Sequence, residues 1–232
     1  RLRLILVRAG AEHLGVAVLE VGVALAEAHW VDKTTLLWPA GEDKPIVRLY
    51  YSHSSKVAAD SEGKFTDRYL KLTPTTISQQ VSMRFPQLSG YAAFKLPDDA
   101  KTDELLQGET VAIAAAEDGI LISATQVQTA GVLDDTYAPA AEALNYGAQM
   151  SDGGVNFRLW APTAQQVDLV LYSADKKVVA SHPMTRDSAS GSWTWQGGSD
   201  LKGAFYRYAL TVYHPQSRQV EQYEIGRASC RE

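Results

Sequence analysis

The sequence predicts an all-β protein built of two consecutive small β-sandwiches of immunoglobulin-like type, with a connector between them that has room for a short helix. Three observations predict it. Short runs of β-branched and aromatic residues recur along the chain, Gly, Pro or Asp punctuates most of the gaps, and only Lys101 to Gln107, ending at Gly108, reads as a helix. A length of 232 residues, 45% of them hydrophobic and 21% charged, suits two small domains or one large one.

Residues 1–28 precede the first sandwich and differ from the rest. Arg1 to Ala28 holds no Ser, Thr, Asn, Gln, Asp, Lys or Pro. Arg8, Glu12, His13 and Glu20 interrupt its apolar run, so neither a signal peptide nor a membrane-spanning helix fits. Two readings remain open: an amphipathic helix or linker entering the first domain, or translation in another frame ahead of Ala26 or so.

The first sandwich is expected over residues 29–130. Ile46 to Tyr51 is β-branched and aromatic, and Ser52 to Lys64, with Gly63, is a polar inter-strand loop. Further strands are expected at Ser78 to Phe85, Tyr91 to Leu96, Thr110 to Ala115 and Ile120 to Val127. The pair Asp118-Gly119 between the last two is a hairpin signal, because both turn positions favour positive φ. Trp30 and Trp38 bracket a threonine pair; Trp38, with Pro39 after it, reads as a buried strand start or as the anchor of an interdomain contact, and Tyr50 and Tyr51 put one ring on each face of their strand. Residues 131–145, with Asp134-Asp135, Pro139 and the alanine-rich Ala138 to Leu144, read as a connector with about one helical turn.

The second sandwich is expected over residues 146–224. In Val155 to Trp160 the apolar Val155, Phe157 and Leu159 share a face, as do Val167, Leu169 and Leu171 in Val167 to Tyr172. Strands follow at Lys177 to Ser181, Ser192 to Gln196, Phe205 to Tyr213 and Gln219 to Glu224, separated by loops carrying Asp175, Gly191, Gly203 and Pro215. Residues 225–232 continue without turn or core pattern. They read either as an ordinary polar tail or as the translation of a sequencing adapter, which Ile225 to Glu232 resembles; the second reading makes Cys230 foreign and the chain a truncated fragment.

Charge narrows the function classes. With 22 Lys and Arg against 27 Asp and Glu, a net charge of -5 and no basic block, the chain lacks a nucleic-acid or anionic-membrane footprint. The lone Cys230 cannot form an internal disulfide, and no Cys/His group has metal-ligand spacing, so structural zinc is not expected and no metal or cofactor site is assigned.

Several stretches carry a family resemblance. Gly153 to Tyr172, Gly191-Ser-Trp193 and Leu201 to Tyr208 resemble carbohydrate-binding module family 48, the early-set sandwich that precedes the catalytic barrel in pullulanases, isoamylases and branching enzymes of glycoside hydrolase family 13. The wording is closest to enterobacterial pullulanases. His29 to Pro39 and Arg48 to His53 resemble the opening of the pullulanase N2 domain, so the resemblance runs from His29 to Glu224. It implies an accessory region of a debranching enzyme that hydrolyses α-1,6 links in pullulan, amylopectin and limit dextrins. It also implies a catalytic barrel as partner, a secreted or cell-surface parent, and α-glucan as a second partner; no membrane contact by the chain itself is expected. A freestanding α-glucan-binding protein and a secretion or assembly module are the alternatives.

Catalytic residues of that family sit on motifs rich in Asn-His and His-Asp pairs. The chain has two asparagines, Asn145 and Asn156, neither followed by His, and no catalytic residue is assigned. Asp98-Asp99 and Asp134-Asp135 read as caps or solvated loops, and His53, His182 and His214 stand alone. What remains is sugar recognition by flat aromatic faces. The candidates are Trp193 and Trp195, which share a face, with Lys202, Tyr206 and Tyr208, although paired large aromatics also mark a buried face. Trp160 belongs to the resemblance's core pattern and is expected to be buried. Glycogen-binding members carry a tryptophan in the loop after the second strand; here that loop is Ser173 to Lys177, without an aromatic, which favours a scaffold role. An exposed apolar patch is expected on the downstream sandwich.

Overall fold

A computed structural model describes residues 24–39, 45–54, 56–60, 65–117 and 121–229. The expectations for residues 1–23, Gly63, Asp118-Gly119 and Cys230 fall outside the described residues. The upstream strands are β1 (Ala24–Asp32), β2 (Thr35–Trp38), β3 (Ile46–Ser52), β4 (Arg68–Lys71), β5 (Thr73–Thr75), β6 (Ala92–Lys95), β7 (Glu109–Ala115) and β8 (Leu121–Gln128). They hydrogen-bond in one continuous order, β4-β3-β7-β8-β1-β2-β6-β5. All neighbours are antiparallel except β1 and β8, which run parallel and need a long connection.

Apolar clusters cover both faces of the middle strands, while the edge strands β4 and β5 stay largely exposed. On one face, Ala28, Trp30, Leu36, Val47, Leu49, Phe94 and Ala112 form the largest cluster. On the other, Val31 and Leu37 pack with Val81 and Leu88, while Tyr50, Val111 and Ile113 pack with Val57 and Phe65. Trp30 and Trp38 are buried at 0% and 6% exposure, and Tyr50 and Tyr51 take opposite faces.

Among the described residues three α-helices accompany the sheet. Ser78 to Phe85, expected as a strand, is instead α1 (Gln79–Arg84): the Ser78 side chain accepts the Val81 N–H at 3.2 Å, Arg84 closes the last turn, and Pro86 follows. Apolar residues at 77, 81, 83 and 85 imitate alternation, yet Met83 points into solvent at 70% exposure. The expected helix near Lys101 is α2 (Thr102–Leu105). The connector is far more ordered than one turn: α3 (Ala130–Ala141) runs twelve residues and packs on β1, giving Val132 and Tyr137 to the main upstream cluster.

Downstream, β9 (Gly147–Ser151), β10 (Gly154–Trp160), β13 (Thr185–Asp187) and β14 (Ser192–Gly197) form one sheet, in order β13-β14-β10-β9. The other contains β11 (Ala164–Tyr172), β12 (Val178–Pro183), β15 (Phe205–His214) and β16 (Gln219–Ser229), in order β12-β11-β15-β16. Val155, Phe157 and Trp193 from the first sheet meet Val167, Leu169, Leu171, Tyr206, Tyr208 and Leu210 from the second. β16 passes the expected end at Glu224: Ile225, Ala228 and Ser229 pair with Tyr208, Tyr206 and Phe205 across a register shift. Ladder bonds use only backbone groups, so an edge strand extends without a core pattern of its own.

Candidate functional site

Two charged clusters join the upstream and downstream folds. Arg186 on β13 grips Asp103 of α2 with both guanidinium nitrogens, Nη1 to Oδ2 and Nη2 to Oδ1, each at 2.6 Å. Its Nη2 also donates to the Pro162 carbonyl at 3.0 Å, and the Tyr137 hydroxyl of α3 donates to the same carboxylate. Burial pushes the Tyr137 phenol far above its usual range; the Asp103 carboxylate adds to the shift and Arg186 opposes it. In the second cluster Arg218, in the turn between β15 and β16, donates from Nε to Glu109 and from Nη2 to the Val57 carbonyl at 2.7 Å. The other Glu109 oxygen accepts the Val57 N–H at 2.6 Å, so a carboxylate 1% exposed is satisfied on both sides. Gln165 Nε2 adds donations to the His53 and Gln107 carbonyls, both at 2.8 Å.

The sequence-derived sugar candidates separate by depth. Trp193, Tyr206 and Tyr208 are core residues at 6%, 6% and 5% exposure, and the Trp193 indole donates to the Ala161 carbonyl at 2.9 Å. Their rings fill the sandwich and present no face to a ligand. Trp195 shares Trp193's inward direction, as its pairing opposite Phe157 dictates, but is half-buried and stacks on His182 at 4.4 Å. Lys202 is exposed beside a 3₁₀ turn at Ser199–Leu201. The structure therefore does not bring these five residues together into one surface.

Trp160, expected to be buried, is 43% exposed. The correction follows from parity: Val155, Phe157 and Leu159 face the core, so the next residue must face out. Its ring is held in place. The indole Nε1 donates to the Ser190 carbonyl at 3.0 Å, presented by a turn in which Gly191 has φ +66 and a Cβ would lie 2.5 Å from Pro162 Cβ. The Ser190 hydroxyl in turn donates to Asp187 at 2.6 Å, an interaction that holds this exposed carboxyl below the usual range.

Tyr146, 37% exposed, is tied to the same strand pair: its hydroxyl donates to the Ala141 carbonyl at the end of α3 and lies 3.1 Å from the hydroxyl of Ser192, the cross-strand partner of Trp160. Ser190 and Ser192, at 0% and 1% exposure, form the floor. Along the same outer face run the pairs Arg158 with Thr194, Asn156 with Gln196, and Asn156 with Gln149. A fixed aromatic beside rows of amides and a hydroxyl suits hydrogen bonding and stacking, not proton or group transfer.

The opposite sheet is different. Val178, Tyr172 and Phe205 align in one row across β12, β11 and β15, and Val178, Val179 and Phe205 are 60%, 64% and 46% exposed. The apolar patch expected on the downstream fold is found here. Among the described residues no group of three or more His, Cys, Asp or Glu is placed to hold a metal ion. Two clefts reach about 220 and 190 Å³, the second lying between the folds and lined by Thr110, Gln126, Tyr213 and Pro215. Both are smaller than ordinary small-molecule sites. No helix among the described residues is long and apolar enough to cross a membrane.

Comparison with known proteins assigns both folds. Residues 25–135 match the Pullulanase N2 domain, and residues 145–224 match Carbohydrate-binding module 48 (Isoamylase N-terminal domain). A pullulanase of Klebsiella pneumoniae is 87% identical over 204 residues, covering 88% of this chain and 19% of that protein. The crystal structure of PulA from Klebsiella oxytoca superposes with a TM-score of 0.85 at 87% identity, covering 88% of this chain and 19% of that one. The maltotriose complex of PulA from Klebsiella pneumoniae superposes at 0.86 with 82% identity, covering 89% and 22%. The chain thus spans about a fifth of the length of the curated relatives it matches.

Proposed function

Since the chain belongs to the pullulanase N2 and carbohydrate-binding module 48 families, one after the other, we propose that it is the non-catalytic accessory region of a pullulanase-type debranching enzyme. The parent hydrolyses α-1,6-glucosidic links in pullulan, amylopectin and limit dextrins, at the cell surface or outside the cell. The observation that carries this reading is the 87% identity to a pullulanase over 204 residues that include both domains in this order. Its geometry is that of a support: two folds fixed to one another by bidentate and buried charge pairs, with one polar aromatic face and one apolar row left outward. The apolar row at Val178, Tyr172 and Phe205 is the surface offered to the catalytic barrel, which would cover it.

A full-length chimera tests the proposal. Residues 24–229 replace the matching region of the Klebsiella pneumoniae pullulanase, and reducing-end release from pullulan is measured beside the chain alone. The chimera is expected to keep kcat within about twofold of the parent, while the chain alone releases nothing. An inactive, well-folded chimera, or hydrolysis by the chain alone, would overturn the reading.

A further inference from the structure

We propose that the outer face of β9, β10, β14 and β13, centred on Trp160, is an α-glucan-binding platform. The proposal rests on the accessory role in a glucan-degrading enzyme and names the surface through which the chain meets the polymer. The sequence-derived candidates fail to supply one, because Trp193, Tyr206 and Tyr208 are interior. Trp160 has what they lack. Nearly half of it meets solvent, and its one polar atom is already satisfied by the Ser190 carbonyl, so no part of the ring must be desolvated without a partner when a sugar lies against it.

Preorganisation matters here because a weakly binding polymer gains little if a long side chain must first be ordered. The Gly191 turn, the Asp187–Ser190 hydrogen bond and the buried Ser190 and Ser192 floor fix the indole before any ligand arrives. The Tyr146 hydroxyl is anchored to the same floor through Ser192, the cross-strand partner of Trp160. Pyranose C–H faces pack on such rings, and sugar hydroxyls then need donors and acceptors at their rim. Arg158 and Thr194 lie in the cross-strand row about 7 Å from Trp160 along β10, and Asn156, Gln196 and Gln149 in the row about 13 Å away, the reach of two or three sugar rings.

A protein partner suits this face less well. Protein interface cores are apolar and depleted in polar side chains, whereas Trp160 is ringed by amides, hydroxyls and a guanidinium; the apolar row lies on the opposite sheet. The match of residues 145–224 to a carbohydrate-binding module agrees with a sugar.

The test is electrophoresis of the full chain through native gels containing pullulan or amylopectin, with Trp160→Ala, Trp160→Phe and Phe205→Ala alongside. Retardation of the unaltered chain is expected. Trp160→Ala should raise the apparent Kd at least about tenfold, as removal of a central aromatic anchor does. Trp160→Phe should keep most of the retention, and Phe205→Ala, on the other sheet, should keep all of it. Should Trp160→Ala lose the thermal transition of the folded chain, the pair Asn156→Ala and Gln196→Ala serves instead and must also weaken retention.

Equal retardation of every variant would overturn the platform while leaving the accessory role intact. So would an unaltered chain that is never retarded while Trp160→Ala lowers the thermal midpoint of the active chimera, since the face would then meet protein. An inactive chimera would instead count against the accessory role itself, whatever the gels show.

Discussion

Trp160 and Trp193 occupy neighbouring positions on paired strands, Leu159 opposite Trp193 and Trp160 opposite Ser192, yet one is exposed and the other buried. A single step along a strand reverses the face, so parity alone decides which tryptophan a ligand can reach. That parity is legible in the sequence, where Val155, Phe157 and Leu159 mark the inward face, and it contradicts the burial that the family resemblance implies for Trp160. The partners of Tyr137 were not legible, because Asp103 and Arg186 come from positions 34 residues before and 49 after it. This cluster makes a pH prediction. The folded Tyr137 phenol is raised, by burial first, so the folded state holds its proton at a pH where the unfolded chain has released it. Stability is fully present below the unfolded value of about 10 and falls as pH rises beyond it. Denaturant titrations between about pH 8 and 11 should therefore show a steep loss for the unaltered chain and a shallower one for Tyr137→Phe. Identical slopes would remove Tyr137 from the alkaline response.

At the scale of elements, strands with one buried face were the readable ones. β10 and β15 alternate because their outer faces meet solvent, whereas β11 is buried from Leu169 through Leu171 and β7 from Glu109 through Ala114, where no period shows. α1 forms where alternation predicts a strand, because apolar residues two apart also fall on a short helix and on the turn after it. α3 was underestimated for another reason: Pro139 and two aspartates suggested a break, but what holds the helix is β1 beneath it. Gly131 shows how close the two lie, since a Cβ there would stand 2.8 Å from both Val31 Cα and its carbonyl oxygen. Helix propensity favours alanine over glycine by about 1 kcal/mol. Backbone that cannot yield outweighs it, because forced overpacking costs about 1–3 kcal/mol. Gly131→Ala is thus expected to lower stability to urea rather than raise it, and a higher midpoint would show that α3 can lift from β1 without loss.

For the whole molecule, two sandwich-like folds in series were legible from turn spacing, but the way they join was not. The joining groups, Asp103 with Arg186 and Glu109 with Arg218, are 83 and 109 residues apart, and no local pattern announces them. Their unequal burial predicts unequal consequences. Glu109 is 1% exposed, so removing Arg218 strands a buried carboxylate, a change that costs about 3–5 kcal/mol. Asp103, at 35%, regains water when Arg186 is removed, and that loss should be smaller. The unaltered chain should unfold in one calorimetric transition, because both pairs and Gln165 tie the folds together. Arg218→Ala should lower the midpoint more than Arg186→Ala. With both arginines replaced, the upstream and downstream folds should melt separately. Replacing Glu109 as well, by Met together with Arg218→Met, should recover most of the lost stability, since an apolar pair of similar volume leaves no charge to desolvate. Two transitions in the unaltered chain, or a double variant that still melts as one unit, would mean that contacts other than these two arginines set the coupling.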